Sequence, residues 1–84
     1  METPKGWELD AGKLVREFSF DDFEGSMRFI TAVAGIAQHL NHHPEIWNSF
    51  NKVRLTLSTH DAGDVVTEKD YALALEINSE IASL

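Results

Sequence analysis

The sequence predicts an α+β fold, in which one four-stranded antiparallel sheet carries two helices on one face, in the order β-β-α-β-β-α. Two segments alternate apolar and polar residues and fold back at turn clusters, which indicates two hairpins. Each hairpin precedes a segment whose apolar residues recur every three or four positions, which indicates a helix. The chain has 84 residues, and we expect residues 1–84 to form a single domain.

The first hairpin is predicted over residues 7–20. Asp10-Ala11-Gly12 is typical of a turn, and residues 13–19 provide the second strand. Leu14, Phe18 and Phe20 fall on one side of this strand, but Arg16 falls on the same side. The pattern therefore only partly indicates which face of the strand is buried.

A long helix is predicted from Asp21-Asp22 to about Asn41, because aspartates in the first turn favour both the N-cap and the helix dipole. At about 100° per residue one apolar stripe is expected to face the core. Phe29 and Ile36 extend this stripe on one flank. A wide core face is the interpretation we prefer, and an oligomer contact is the alternative. The residues of the stripe are Phe23, Met27, Ile30, Val33, Ala34, Ala37 and Leu40.

Pro44 is expected to end this helix, because the residue before a proline is pushed out of the α region. His42 and His43 then lie where the helix turns into extended chain. A second hairpin follows, with strands predicted at residues 45–50 and 53–59.

The last helix is predicted from Glu68 towards Leu84. Thr67-Glu68-Lys69-Asp70 resembles a capping box in which aspartate replaces glutamate, so Asp70 is expected to be structural first and catalytic second. The apolar residues that this helix is expected to bury are Leu73, Ala74, Ile77, Ile81 and Leu84.

Composition excludes several classes of function. The net charge of −7 argues against nucleic acid and against an anionic membrane surface as partners. The absence of cysteine excludes disulfides and thiolate metal sites. The sequence has no signal-like start and no apolar run near the ~20 residues that span a bilayer, so we expect a cytoplasmic protein.

Three of the four histidines lie in two short segments, Asn41-His42-His43-Pro44 and Ser58-Thr59-His60-Asp61. Without cysteine, histidine is the only side chain here whose ordinary pKa lies near neutrality. Proton-transfer chemistry is therefore expected at these two segments, although a histidine pair at a helix end is by itself more often solvated.

A metal site is the main rival interpretation of these histidines. His39, His42, His43 and His60, with Asp61 or Asp64, have the ligand types of a three-histidine zinc set. Because Pro44 ends the helix before a His-x-x-x-His pair can form, we expect no metal.

Four motifs resemble, in order and spacing, those of the pterin-4a-carbinolamine dehydratase family. They are Asn41-His42-His43-Pro44-Glu45, Phe50-Asn51-Lys52-Val53, Leu57-Ser58-Thr59-His60-Asp61 and Thr67-Glu68-Lys69-Asp70. The resemblance runs from about Trp7 to the C-terminus, and that family's fold agrees with the predicted one. Gln38 stands where the family usually has an acidic residue, Phe50 stands where it has tyrosine, and the loop after His60 is one residue longer.

The resemblance implies a lyase that dehydrates 4a-hydroxytetrahydropterin to quinonoid dihydropterin in tetrahydropterin recycling, with no metal or other cofactor. The alternative within the same fold is a non-catalytic pterin-binding or protein-partner module. As a small domain with one uncovered sheet face, the chain is expected to form a homodimer or homotetramer. The residues implied as catalytic are His42, His43 and His60, and those implied to line the pterin pocket are Asn41, Ser58, Thr59 and Asp61.

Overall fold

The two predicted hairpins form one antiparallel sheet in the computed structural model, which describes residues 2–83. The strands are β1 (Glu8–Asp10), β2 (Lys13–Ser19), β3 (Glu45–Ser49) and β4 (Lys52–Leu57). Their order in the sheet is β1-β2-β4-β3, so β2 and β4 are central and the other two are edges. The predicted α+β fold is confirmed.

The two helices, α1 (Phe23–Leu40) and α2 (Glu68–Ser83), pack on the same face of this sheet. Alternate residues of β4 are fully buried beneath them, as the parity of that strand predicts. The Leu84 prediction lies outside the described residues. The buried core consists of Trp7, Leu14, Phe18, Phe29, Val33, Val53, Leu55, Leu57, Leu73, Ala74 and Ile77.

The face of α1 that meets the core differs from the predicted stripe. Phe29 is fully buried, with its ring centroid 4.6 Å from that of Phe18 and 5.1 Å from that of Phe20. Phe23 and Met27, which the stripe placed in the core, are 49% and 40% exposed. The aromatic contacts of β2 and the chain after it therefore set the rotation of the helix. The buried residues of α1 are Ser26, Phe29, Val33 and Ala37.

Arg16 has a structural reason for its position on the apolar side of β2. Its guanidinium lies 4.6 Å from the ring centroid of Phe18, and its Nη1 donates to Asn78 Oδ1 of α2 at 2.7 Å. The same oxygen accepts a hydrogen bond from Trp7 Nε1 at 2.8 Å. This arrangement ties the start of the chain and β2 to the last helix.

The other face of the sheet and the β3 edge are uncovered. Trp47 and Ile46 of β3 are each 41% exposed, and the Arg54 guanidinium lies 4.6 Å from the Trp47 indole centroid. Within residues 2–83, neither helix has the length and apolar character needed to cross a membrane.

Candidate active site

The C-terminus of α1 fixes the backbone of His42. Asn41 adopts the left-handed conformation at φ 52°, and its N–H donates to the carbonyl of Gln38 at 3.2 Å. The N–H of His42 reaches back to the carbonyl of Ala37 at 3.0 Å, which completes a Schellman motif. The helix therefore ends at Leu40, four residues before Pro44, through the left-handed Asn41, and His42 follows it in a defined direction.

The end of β4 brings the second histidine segment to the same place. Thr59 is only 7% exposed and forms an isolated antiparallel bridge with Val65, in which its N–H donates to the Val65 carbonyl at 2.8 Å. Between them, His60–Ala62 forms a single 3₁₀ turn. His60 is thus held on a short closed loop and is exposed.

The N-terminus of α2 contributes the buried carboxylate of Asp70, which is 0% exposed. Its Oδ2 accepts from the backbone N–H of Thr67 at 2.9 Å, as the predicted capping box requires. The same oxygen accepts from the hydroxyl of Thr59 at 2.8 Å. Its Oδ1 lies 2.6 Å from His42 Nε2, so Asp70 joins α2 to both histidine segments.

These hydrogen bonds determine which nitrogen of His42 carries the proton. Because the Thr59 hydroxyl gives its only hydrogen to Asp70, the Thr67 hydroxyl, 2.6 Å from that of Thr59, must donate to it. An ionised carboxylate has acceptors only, so His42 Nε2 is the donor to Asp70 Oδ1 when Asp70 is ionised. The Nδ1 of His42 then carries the free lone pair.

A cavity of about 300 Å³ lies where these three elements meet. All seven residues that the family resemblance implies for the site line it, together with Lys69, which sequence reasoning missed. The lining residues are Asn41, His42, His43, Ser58, Thr59, His60, Asp61 and Lys69. Asp70 is not among the lining residues; it is buried behind them, where its carboxylate contacts His42. Trp47 and Phe50 are not among the lining residues.

Gln38 and His43 form a second pair at the edge of the cavity. The Nε2 of His43 lies 3.2 Å from Gln38 Oε1, an acceptor, so the ring donates. Gln38 therefore contacts His43 and leaves His42 to Asp70. Both side chains of this pair are exposed, in contrast to His42, whose side chain is 12% exposed.

The imidazole of His60 is paired with a carboxylate on its own loop. Its Nδ1 lies 3.0 Å from Asp64 Oδ1, and its side chain is 90% exposed. The pKa of His60 is raised above its ordinary value of 6.5, first by this hydrogen bond and then by the charges of Asp64 and Asp61. Protonated His60 therefore persists to higher pH than an isolated histidine does.

A larger groove of about 450 Å³ runs along α1 beside α2, but it lacks this chemistry. Ile36 and Leu40 form much of its wall, and its titratable side chains are His39 and Glu76. Within residues 2–83, no group of three or more histidine, aspartate or glutamate side chains is arranged to hold a metal ion.

The fold and the site define a class of protein: a small α+β domain with carboxylate-paired imidazoles around a polar cavity. The chain belongs to the pterin 4 alpha carbinolamine dehydratase family, whose family model matches residues 1–80. A relative from Chloroflexus aurantiacus, provisionally named a pterin-4-alpha-carbinolamine dehydratase, is 46% identical over 72 residues, which are 86% of this chain and 76% of the relative. A second relative, from Thermomicrobium roseum and with the same provisional name, is 44% identical over 78 residues, which are 93% of this chain and 82% of the relative.

Two solved structures are similar to this fold. The transcriptional coactivator/pterin dehydratase from Brucella melitensis has a TM-score of 0.83 at 36% identity, covering 89% of this chain and 81% of that one. A pterin dehydratase-like protein described as a RuBisCO assembly factor in the alpha-carboxysome has a TM-score of 0.74, covering 93% and 92%. At 21% identity the second likeness concerns the fold alone.

Proposed function

We propose that this protein is a pterin-4a-carbinolamine dehydratase, which converts 4a-hydroxytetrahydropterin to quinonoid dihydropterin and water in tetrahydropterin recycling. The observation that supports this most is the pair of imidazoles, His42 and His60, which come from separate elements and line one cavity. Each has a carboxylate on one ring nitrogen, so each has the other nitrogen left for chemistry.

The reaction needs one acid and one base. The C4a–O bond breaks, and the leaving hydroxyl takes a proton to depart as water. A ring nitrogen loses a proton as the C=N bond forms. A positioned acid or base typically contributes about 10²–10⁴ in rate, so two histidines supply a useful acceleration without a metal or cofactor.

His42 is the base in this proposal. Its Nε2–H is held by the buried carboxylate of Asp70, and its Nδ1 has a free lone pair. When Nδ1 takes the proton from the substrate, the carboxylate stabilises the imidazolium that forms, as the buried aspartate of a catalytic triad does.

His60 is the acid. The carboxylate at its Nδ1 favours the imidazolium, and its Nε2–H is the proton that passes to the leaving hydroxyl. The neutral ring that remains has its hydrogen on Nδ1, where Asp64 accepts it. The ring therefore needs no rearrangement after the transfer.

The remaining lining residues bind the substrate. His43 points its Nε2 to Gln38 rather than to a carboxylate, which suits a residue that holds the pterin. Asn41, Ser58 and Asp61 have amide, hydroxyl and carboxylate groups that match the donors and acceptors on a pterin edge. The hydroxyl of Thr59 is occupied by Asp70, so this residue acts mainly through the support of His42.

The test is the dehydration of chemically generated 4a-hydroxytetrahydropterin by purified protein, followed by the ultraviolet change on forming the quinonoid product. The protein should accelerate the reaction and should keep its full rate after exhaustive chelation. The matched control is the His42→Ala, His60→Ala double variant. No acceleration by the wild type over this variant refutes the proposal, and activity that is lost on chelation and restored by zinc points to the metal site instead.

A second candidate is a non-catalytic module that binds a pterin or a protein partner. The exposed apolar side chains of the second hairpin, including Phe50 at 64% exposure, favour it because such residues often mark contact surfaces. Calorimetric binding of a stable tetrahydropterin, without turnover of the carbinolamine, would select this candidate.

A further inference from the structure

Asp64 lies outside the residues to which the family resemblance assigns a role. It follows the 3₁₀ turn in the left-handed conformation, at φ 60°, which is uncommon for a residue other than glycine. A strained position of this kind persists when the surrounding structure holds it. In this conformation the carboxylate of Asp64 contacts His60, one of the two histidines proposed to act in catalysis.

The backbone of this loop is closed by several hydrogen bonds. The Asp64 N–H donates to the carbonyl of Thr59 at 3.1 Å, and the Gly63 N–H donates to that of His60 at 3.0 Å. The bridge between Thr59 and Val65 joins the two ends of the loop. The Cα atoms of His60 and Asp64 are therefore fixed relative to each other, and only side-chain torsions remain to be ordered.

We propose that Asp64 is the positioning residue for His60: its Oδ1, 3.0 Å from Nδ1, holds the ring with a hydrogen on Nδ1 and leaves Nε2 to the cavity. The substrate group on which Nε2 acts rests on the proposed function, whereas the pairing of Asp64 with His60 does not. Asp64 mirrors Asp70, which holds the opposite nitrogen of His42. The two rings therefore offer different nitrogens, Nδ1 and Nε2, to one substrate.

The charges around His60 favour the same arrangement. Asp61 is adjacent in the 3₁₀ turn and adds negative charge beside the ring, and the positively charged Lys69 of α2 also lines the cavity. His42 and His43, after α1, complete the titratable groups of the lining. Of these neighbours, only Asp64 has a hydrogen bond to the ring of His60.

The experiment is an imidazole nitrogen NMR titration of the uniformly ¹⁵N-labelled full chain, which reports the tautomer and pKa of each histidine. In the wild type, neutral His60 should be mainly the Nδ1–H tautomer. Asp64→Gly, which the left-handed backbone accepts, should return it to the Nε2–H form that free histidine prefers and should lower its pKa. Asp64→Asn keeps an acceptor and should retain the tautomer while lowering the pKa.

Asp61→Asn is the matched control, because it removes one neighbouring charge without a hydrogen bond to the ring. It should lower the pKa of His60 while leaving its tautomer unchanged. The proposal is overturned if Asp64→Gly leaves the tautomer of His60 as in the wild type, because a fall in pKa alone is what the loss of a neighbouring charge produces.

The catalytic readout is the pH dependence of turnover. If protonated His60 is the acid, turnover falls as pH rises through its pKa, so Asp64→Asn should move this alkaline limb to lower pH with little change in KM. An unmoved limb, with the NMR shift present, overturns the link of Asp64 to catalysis. A wild type without dehydratase activity but with the expected NMR result refutes the proposed function and leaves the pairing standing.

Discussion

At the scale of single residues, the three cavity histidines are expected to differ in role. His42→Ala or His60→Ala should lower kcat by about 10² or more, the scale of one lost acid or base. His43→Ala should chiefly raise KM, because it removes an interaction shared by the ground and transition states. Steady-state kinetics with the carbinolamine measure both effects. Near-wild-type turnover in both His42→Ala and His60→Ala, or loss of turnover in His43→Ala alone, would contradict this division.

Asp70 is expected to matter for both stability and turnover. Asp70→Asn keeps the volume but presents an amide where three donors converge, so the free energy of unfolding should fall by about 1–3 kcal/mol. Turnover should fall by about 10² or more, because His42 no longer has its Nε2–H held. Urea denaturation and kinetics separate the two effects.

Glu68→Gln is the matched control for Asp70, because it removes an exposed carboxylate from the same helical turn. It should cost only about 0.3–1 kcal/mol through the helix dipole and should leave turnover unchanged. Equal loss of turnover in the two variants would show that the charge of the helix start, rather than the contact with His42, is what matters.

Some residues of the site could be predicted from the sequence, and others could not. The motifs identify seven of the lining residues, whereas Lys69 lies within the Thr67–Asp70 motif but is given no role by it. Its signal was electrostatic, since a lysine in the first turn of a helix sits where the dipole disfavours positive charge. Asp64 was considered only as a metal ligand, because its contact with His60 depends on a loop backbone that no local pattern predicts.

At the scale of elements, the turn between β3 and β4 offers a test of whether Phe50 affects the site. Phe50 is 64% exposed and left-handed at φ 51°, a conformation that asparagine tolerates better. Phe50→Asn should therefore raise the free energy of unfolding by about 0.5–1 kcal/mol. Thermal and urea denaturation measure this change.

Turnover should be unaffected by Phe50→Asn, because the cavity lies at the other end of β3. The five residues of that strand place the turn about 16 Å away, at roughly 3.3 Å per residue. Phe50→Tyr is the matched control, since it keeps both the ring and the strain and should gain no stability. Faster turnover in Phe50→Tyr would show that a hydroxyl at this position reaches the site after all.

The order of the elements was predictable, and their bounds to within about two residues, but the rotation of α1 was not. Periodicity places the strands and helices, because each buried face repeats at its own period. The apolar residues of α1 cover about half of its circumference, at roughly 100° per residue, so the pattern alone leaves open which part of that arc is buried. Packing of Phe29 against Phe18 and Phe20 decides it, and this long-range contact is invisible to local pattern.

At the scale of the whole molecule, the chain is expected to self-associate. A domain of this size buries only about 60–65% of its unfolded surface, so contact with a second copy adds stability. Phe29, the possible oligomer contact on α1, is fully buried in the core and is not available for such a contact. The two edges of the sheet give a further reason to expect self-association. β1 has three residues, two of them aspartate or glutamate, whereas β3 has five and exposes Ile46 and Trp47.

Short, charged edges resist pairing with another strand, and longer apolar edges invite it, so β3 is the edge expected to meet a second copy. Light scattering at micromolar concentration should give a multiple of 9.4 kDa. Ile46→Lys should reduce the mass to the monomer, because it places a charge on the contact edge. Leu9→Lys is the matched control, since Leu9 is an exposed apolar residue on the β1 edge and its replacement should leave the mass unchanged. A monodisperse 9.4 kDa wild type would exclude self-association, and dissociation by Leu9→Lys alone would move the contact to β1.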